Sequence, residues 1–163
     1  MKSNLINEDI IFSLIKQALQ QLYEKDSHLI QINASERAIV AKFSCYFAHL
    51  PDAKIITDKY DVDVEYNRYK TAVKKLSTGS VTIDFIVHKR GKSDNLIAIE
   101  FKTLWNETEE GRKNDEDRIQ ELCTSENYNY KYGFTIVLGK DLETTVAKFY
   151  NKLTNEFQSR TVV

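Results

Sequence analysis

The sequence predicts an α/β fold, strands flanked by helices, on three observations. Two early segments carry apolar residues at helical spacing before any strand signal. Residues 60–67, "YDVDVEYN", alternate strictly, as a half-buried strand does. Two further apolar segments, "VTIDFIVH" (81–88) and "LIAIEFK" (96–102), flank "KRGKSDN", whose Gly91 and Asp94-Asn95 pair mark a hairpin connection.

The first helix is expected over residues 8–24, where Ile11, Leu14, Ile15, Ala18, Leu19 and Leu22 share one side and Asn7 is available as a cap. The second, "NASERAIVAKFSCYFAHL", begins near Asn33 and stops before Pro51, since a proline disfavours helical geometry at the residue before it. Its inward stripe is Ile39, Val40, Phe43 and Phe47, with Glu36 at one end. In the 60–67 strand, Val62, Val64 and Tyr66 oppose Asp61, Asp63, Glu65 and Asn67. After the hairpin, "GRKNDEDRIQELCTS" reads as a helix through Ile119, Leu122 and Cys123, and "YGFTIVL" (132–138) as a fourth strand. Residues 141–157 are predicted to form a last helix on Val146, Phe149, Tyr150, Leu153 and Phe157. No internal repeat is visible.

With 163 residues, 42% of them apolar and 29% charged, and with only one Pro and five Gly, the chain is expected to fold as one domain over residues 1–163. No apolar run approaches the roughly 18 residues that span a bilayer, and "MKSNLINED" lacks the basic-then-apolar pattern of a leader. A cytoplasmic location with no membrane partner is the expectation. Cys45 and Cys123 lie in amphipathic segments without a second Cys or His at ligand spacing, so both are expected to be small core residues. The net charge of −1 means that any phosphate-binding surface is a local patch.

Parity within the hairpin carries the chemical argument. Val81, Ile83, Phe85 and Val87 on one strand and Ile97, Ile99 and Phe101 on the other are all odd-numbered and are expected to share the buried face. The other face then collects Asp84, His88, Glu100 and Lys102, and a turn centred on Lys92 sets Asp84 opposite Glu100. Two carboxylates about 5 Å apart repel by roughly 3 kcal/mol at an effective dielectric of about 20. A proton, a lysine or a hard divalent ion relieves this, and oxygen donors pointing one way suit Mg²⁺. A partly exposed sheet face with a cross-strand ion pair is the plainer alternative. Glu36 likewise has two readings, as partner of Asn33 in a capping box or as a third oxygen aimed at the sheet.

At these residues the sequence resembles the PD-(D/E)XK nuclease superfamily, whose signature is an aspartate on one strand, Glu-X-Lys on the next and often a glutamate on the preceding helix. The matching residues are Asp84, Glu100-Phe101-Lys102 and Glu36; the proline of the signature is replaced by Ile83. "DVEYNR" (63–68), "VTIDFIVHKRG" (81–91) and "NLIAIEFK" (95–102) look more narrowly like small, largely uncharacterised bacterial or phage members. The resemblance implies a restriction-endonuclease-like αβββαβ core over about residues 33–138, with a mixed central sheet flanked by helices and with extra N- and C-terminal helices. It further implies a Mg²⁺-dependent nuclease, Mn²⁺ being able to substitute, in which Asp84, Glu100, the Phe101 carbonyl and Glu36 hold metal while Lys102 steadies the attacking water or the developing anion.

Arg68, Lys74 and Lys75 after the first strand, and Arg90 with its lysine neighbours in the hairpin turn, are candidate phosphate contacts, with solvated surface as the alternative. His88 shares the candidate face, and Tyr66, Tyr69, Tyr128, Tyr130 and Tyr132 are available for stacking or packing. Asp115, Glu116 and Asp117 are explained by the dipole of a first helical turn. The expected partner is nucleic acid, DNA over RNA. The chain leaves no room for a separate sequence-reading domain, so selectivity is expected to come from substrate structure, a homodimer or a partner protein. The competing expectation is a non-catalytic module that uses the same fold to bind nucleic acid or protein.

Overall fold

A computed structural model describes residues 6–163; the first five residues of the stretch read for a leader lie outside it. The elements in chain order are α1 (Glu8–Gln31), α2 (Glu36–His49), α3 (Lys54–Thr57), β1 (Asp61–Tyr66), β2 (Arg68–Tyr69), β3 (Ala72–Val73), β4 (Lys75–Leu76), β5 (Gly79–Ser80), β6 (Ile83–His88), β7 (Asn95–Thr103), α4 (Glu109–Thr124), β8 (Tyr132–Leu138), β9 (Val146–Asn151) and β10 (Glu156–Arg160). They form an α/β protein with, among the described residues, four helices and a six-stranded mixed sheet in the order β1-β6-β7-β8-β9-β10. Among the described residues, only the β7–β8 pair is parallel. No helix of the described residues is long and apolar enough to cross a membrane.

α1 begins where expected, with the Ile10 N–H donating to Asn7 Oδ1 at 2.9 Å, and buries Ile11, Leu14, Ile15, Ala18, Leu19 and Leu22. It runs past residue 24 to Gln31 through a kink at Asp26. α2 starts later than predicted. Asn33 takes a left-handed conformation (φ 52°), and Ser35 is the cap, accepting from the Ala38 N–H, so the Asn33–Glu36 capping box does not form. Phe43 and Phe47 of α2 meet Phe85 edge-on, and Phe43 meets Phe101, with ring centroids 4.9–5.2 Å apart. These contacts clamp α2 to the face of the sheet that α1 also covers.

The hairpin has the predicted register, with Phe85 opposite Ile99 and Val87 opposite Ile97. The single-face expectation fails at its open end. Phe85, Val87, Ile97, Ile99 and Phe101 belong to the core beneath α1 and α2, whereas Val81 and Ile83 belong to the core beneath α4. The change is shared by the neighbouring strand: Val64, opposite Phe85, packs on the first core, and Tyr66, opposite Ile83, on the second. Glu65 (φ 51°) lies between them. Asp84 therefore occupies a twist where β6 turns over, not a regular position on one face.

Most of the second face is covered, and on it Asp84 and Lys102 stay half-buried. Ile119, Leu122 and Cys123 of α4 cover Ile86 and Ala98; β4 adds Leu76, the residue after β5 adds Val81, and Tyr69 of β2 packs against them. Cys123 is buried as expected, but Cys45 is exposed on the outer side of α2.

The predicted C-terminal helix is absent. Its residues form the β9–β10 hairpin, which extends the sheet beyond β8. Asn151 Oδ1 accepts from the Leu153 and Thr154 N–H groups, Asn155 is left-handed (φ 58°), and Leu153, expected in the core, is 97% exposed at the turn.

α4 packs so closely on β8 that Gly133 leaves no room for a side chain: a Cβ there would lie 2.6 Å from both Cys123 Sγ and Ile119 Cγ2. Gly133→Ala should lower stability by about 1–3 kcal/mol through overpacking. Cys123→Ala should recover part of that loss in urea unfolding of the double variant.

Candidate active site

The paired rungs of β6 and β7 end at Phe85 and Ile99, but β7 continues to Thr103. Beyond that point its main chain finds side-chain partners. The Phe101 N–H donates to Asp84 Oδ2 at 2.8 Å, and the Thr103 N–H donates to Glu36 Oε2 at 2.9 Å. Buried backbone donors demand such partners, so the two acidic residues take the place of a missing strand. A strand residue sends its N–H and C=O to the same side, which turns the Phe101 carbonyl toward the same gap.

The gap also joins the two layers of the molecule. Glu36 comes from α2 on one side of the sheet; Glu100 and Lys102 lie on the other side, facing α4. Lys102 Nζ lies 3.7 Å from Glu36 Oε1 and 3.4 Å from Asp115 Oδ2. Arg118 Nε donates to Glu100 Oε1 at 3.0 Å, and its guanidinium also bonds Asp115. Thr103 Oγ1 is buried without a hydrogen-bond partner among the described residues.

Four carboxylates thus crowd two contacting cations. Glu100, 2% exposed, is pushed well above the usual carboxylate range by burial, and the Asp84 charge adds to the rise while Arg118 opposes it. Burial also raises Glu36 and Asp115, each against the pull of Lys102. Burial opposes the charge on Lys102, but Asp115 and Glu36 outweigh it and raise its pKa, so the ammonium stays charged.

Sequence reasoning placed Glu36, Asp84, Glu100 and Lys102 together, and all four meet here. It missed Asp115 and Arg118. α4 starts at Glu109 with Thr108 as its cap, so Glu109 and Glu110 occupy the first turn and Asp115 lies deeper in the helix, 3% exposed. Its spacing to Ile119 and Leu122 is that of the inward stripe, a signal present in the sequence. The expected metal set also changes. Among the described residues no three acidic, His or Cys side chains are arranged around a single ion. Glu36 is turned to the Thr103 N–H and Lys102, leaving Asp84, Glu100 and the Phe101 carbonyl as the direct donors on offer.

The expected phosphate contacts divide. Arg68 and Lys75 are exposed. Arg90 is exposed but holds Asp63 in a two-pronged bond, and His88, expected on the candidate face as a substrate contact, is buried with Nε2 2.9 Å from Asp63 Oδ2. Lys74 is 1% exposed, so it is not a surface contact. Its ammonium donates to the Tyr130 hydroxyl at 3.0 Å and lies 5.2–5.7 Å from the ring centres of Tyr66, Tyr128 and Tyr130. Burial depresses its pKa to about 8, with Glu100 pulling the other way.

Searches of protein-family models, curated proteins and solved structures found no match to this chain.

Two stability predictions follow from these charges. Asn at position 84 can still accept from the Phe101 N–H while removing one charge beside Glu100, so Asp84→Asn should gain about 1–3 kcal/mol at neutral pH. Urea unfolding checks this. Lys74 has a folded pKa near 8 against an ordinary 10.5, so the native state sheds its proton first and the stability of the native chain rises with pH across that window. Measured against Lys74→Met, the native chain should therefore gain up to about 3 kcal/mol between those two pH values.

Proposed function

We propose that the protein is a Mg²⁺-dependent nuclease of the PD-(D/E)XK superfamily that hydrolyses phosphodiester bonds, with DNA preferred over RNA. The order α2, β1, β6, β7, α4, β8 supports the restriction-endonuclease-like core, to which α1 and the β9–β10 hairpin are additions. The observation that carries the reading is the meeting of Asp84, Glu100, Lys102 and Glu36 where β7 outruns β6.

The donor set fits a hard divalent ion. Asp84, Glu100 and the Phe101 carbonyl are oxygen donors of the kind Mg²⁺ prefers, and Mg²⁺ is ordinarily held by one or two carboxylates with water and substrate completing its shell. Four carboxylates against two contacting cations are short of positive charge when all are ionised, and a divalent ion supplies it. When bound, the ion supplies an activated water and neutralises charge on the phosphate.

The chain's own residues do the rest. Lys102, kept charged between Glu36 and Asp115, orients the attacking water and stabilises the anionic oxygen; an ammonium so held is a poor base. Asp115 and Glu36 fix where that ammonium points. Arg118 ties Glu100 to α4, which limits how far the carboxylate turns.

One observation favours a second reading, a non-catalytic binding module. Arg118 already supplies a positive charge to the most buried carboxylate, so the cluster has an internal neutralising partner. The two readings separate in a cleavage assay on supercoiled, single-stranded and branched DNA and on RNA. With Mg²⁺ or Mn²⁺ the protein should cut DNA, and EDTA should stop it. Glu100→Gln and Lys102→Ala should each reduce the rate by at least about a hundredfold. Binding without cutting in every metal would support the module instead.

A further inference from the structure

A cavity of about 470 Å³ opens beside the candidate active site, lined by Ile30, Gln31, Asn33, Leu104, Trp105 and Lys140. Two of its lining residues adjoin that site along the chain. Leu104 follows Thr103, whose N–H holds Glu36, and Asn33 lies three residues before Glu36. Thr103 and Leu138 are partners at the carboxyl ends of the parallel strands β7 and β8, and Leu104, Trp105 and Lys140 belong to the segments that leave those ends. In open α/β sheets, ligands gather at such strand ends.

We infer that this cavity accepts an unstacked nucleobase of the substrate, next to the phosphate being cut. The inference rests on the nuclease reading and adds to it a class of substrate, DNA in which a nucleotide beside the cut is unpaired or easily extruded. The volume falls within the range of small-molecule sites and exceeds what a lone ion needs. Trp105 offers an aromatic face, and the apolar side chains of Ile30 and Leu104 suit a base better than they suit a phosphate. The side-chain amides of Gln31 and Asn33 carry both donors and acceptors, as base edges do. Lys140 is exposed at the rim and complements the phosphate attached to such a base. A base kept in a duplex stack cannot enter; extrusion costs least where the base is mismatched or already single-stranded.

Trp105 is the single tryptophan of the chain, so its emission reports the cavity directly and needs no cleavage. The test uses the full chain carrying Glu100→Gln, titrated with a short single-stranded deoxyoligonucleotide, the same strand with abasic sites, and a blunt duplex. Labelled versions give binding by anisotropy in parallel. The intact single strand should quench Trp105, and the abasic strand and duplex should leave it unchanged. Trp105→Leu should weaken single-strand binding about tenfold, and Lys140→Ala, a surface change, should weaken it severalfold. Binding by anisotropy without quenching, or equal quenching by the abasic strand, overturns the cavity assignment and leaves the nuclease reading standing. Failure of every nucleic acid to bind overturns both. An emission that shifts with protein concentration alone, with a dimer in sedimentation, assigns the cavity to a second copy of the chain and overturns the inference.

Discussion

The candidate site depends on one mismatch of length: β7 extends past the last rung it shares with β6. Main-chain N–H groups in a buried strand must be paired, and here the partners are carboxylates. Asp84 reaches Phe101 because β6 turns over at that residue, with Phe85 on one core and Ile83 on the other. Glu36 reaches Thr103 because the aromatic contacts of Phe43 and Phe47 seat α2 with its first turn at the gap. Had β6 continued in regular pairing, those N–H groups would bond to backbone carbonyls, and neither acid would be fixed there.

Once the acids are fixed, the remaining charges follow from their cost. A carboxylate as enclosed as Glu100 cannot stay ionised unaided, and Arg118 from α4 partly relieves it. Lys102 is drawn between Asp115 and Glu36, one on each side of the sheet. The result is a network that ties both helical layers to the end of β7 while leaving excess negative charge in place. Raised carboxylate pKa values mean that the native fold contributes less stability once these groups ionise than when they are protonated. An excess of buried like charge is expected at a site adapted to take up a cation, and it is costly anywhere else.

The hairpin register was legible because a strand has a period of two and both segments carry odd-numbered apolar residues; that alone places Asp84 beside Glu100. The twist at Asp84 was not, since Val81 and Ile83 are apolar whichever core receives them. Asp115 was legible and was misassigned, because placing the helix start near Gly111 put it in the first turn, whereas Thr108 caps the helix. The 141–157 segment failed for a different reason. Val146, Phe149, Tyr150, Leu153 and Phe157 match helical spacing, but Phe149, Tyr150 and Phe157 pack from two strands, and the intervening "NKLTNE" is rich in turn residues. Lys74 shows the limit of local reading: its enclosure comes from Tyr128 and Tyr130, more than fifty residues further on.

The same C-terminal hairpin bears on the site. By pairing with β8 it moves the β7–β8 pair into the middle of the sheet. β7 has an antiparallel partner, β6, on one side and a parallel one, β8, on the other, and β8 is likewise held between parallel β7 and antiparallel β9. The antiparallel side ends early and exposes donors and carboxylates. The parallel side runs to Thr103 and Leu138 and releases two chain segments in the same direction. One strand end therefore presents acidic chemistry toward β6 and an aromatic, amide-lined cavity at its tip. On the proposed reading, a ligand with an anionic backbone and planar bases uses both at once, because its phosphate and its base are joined within each nucleotide.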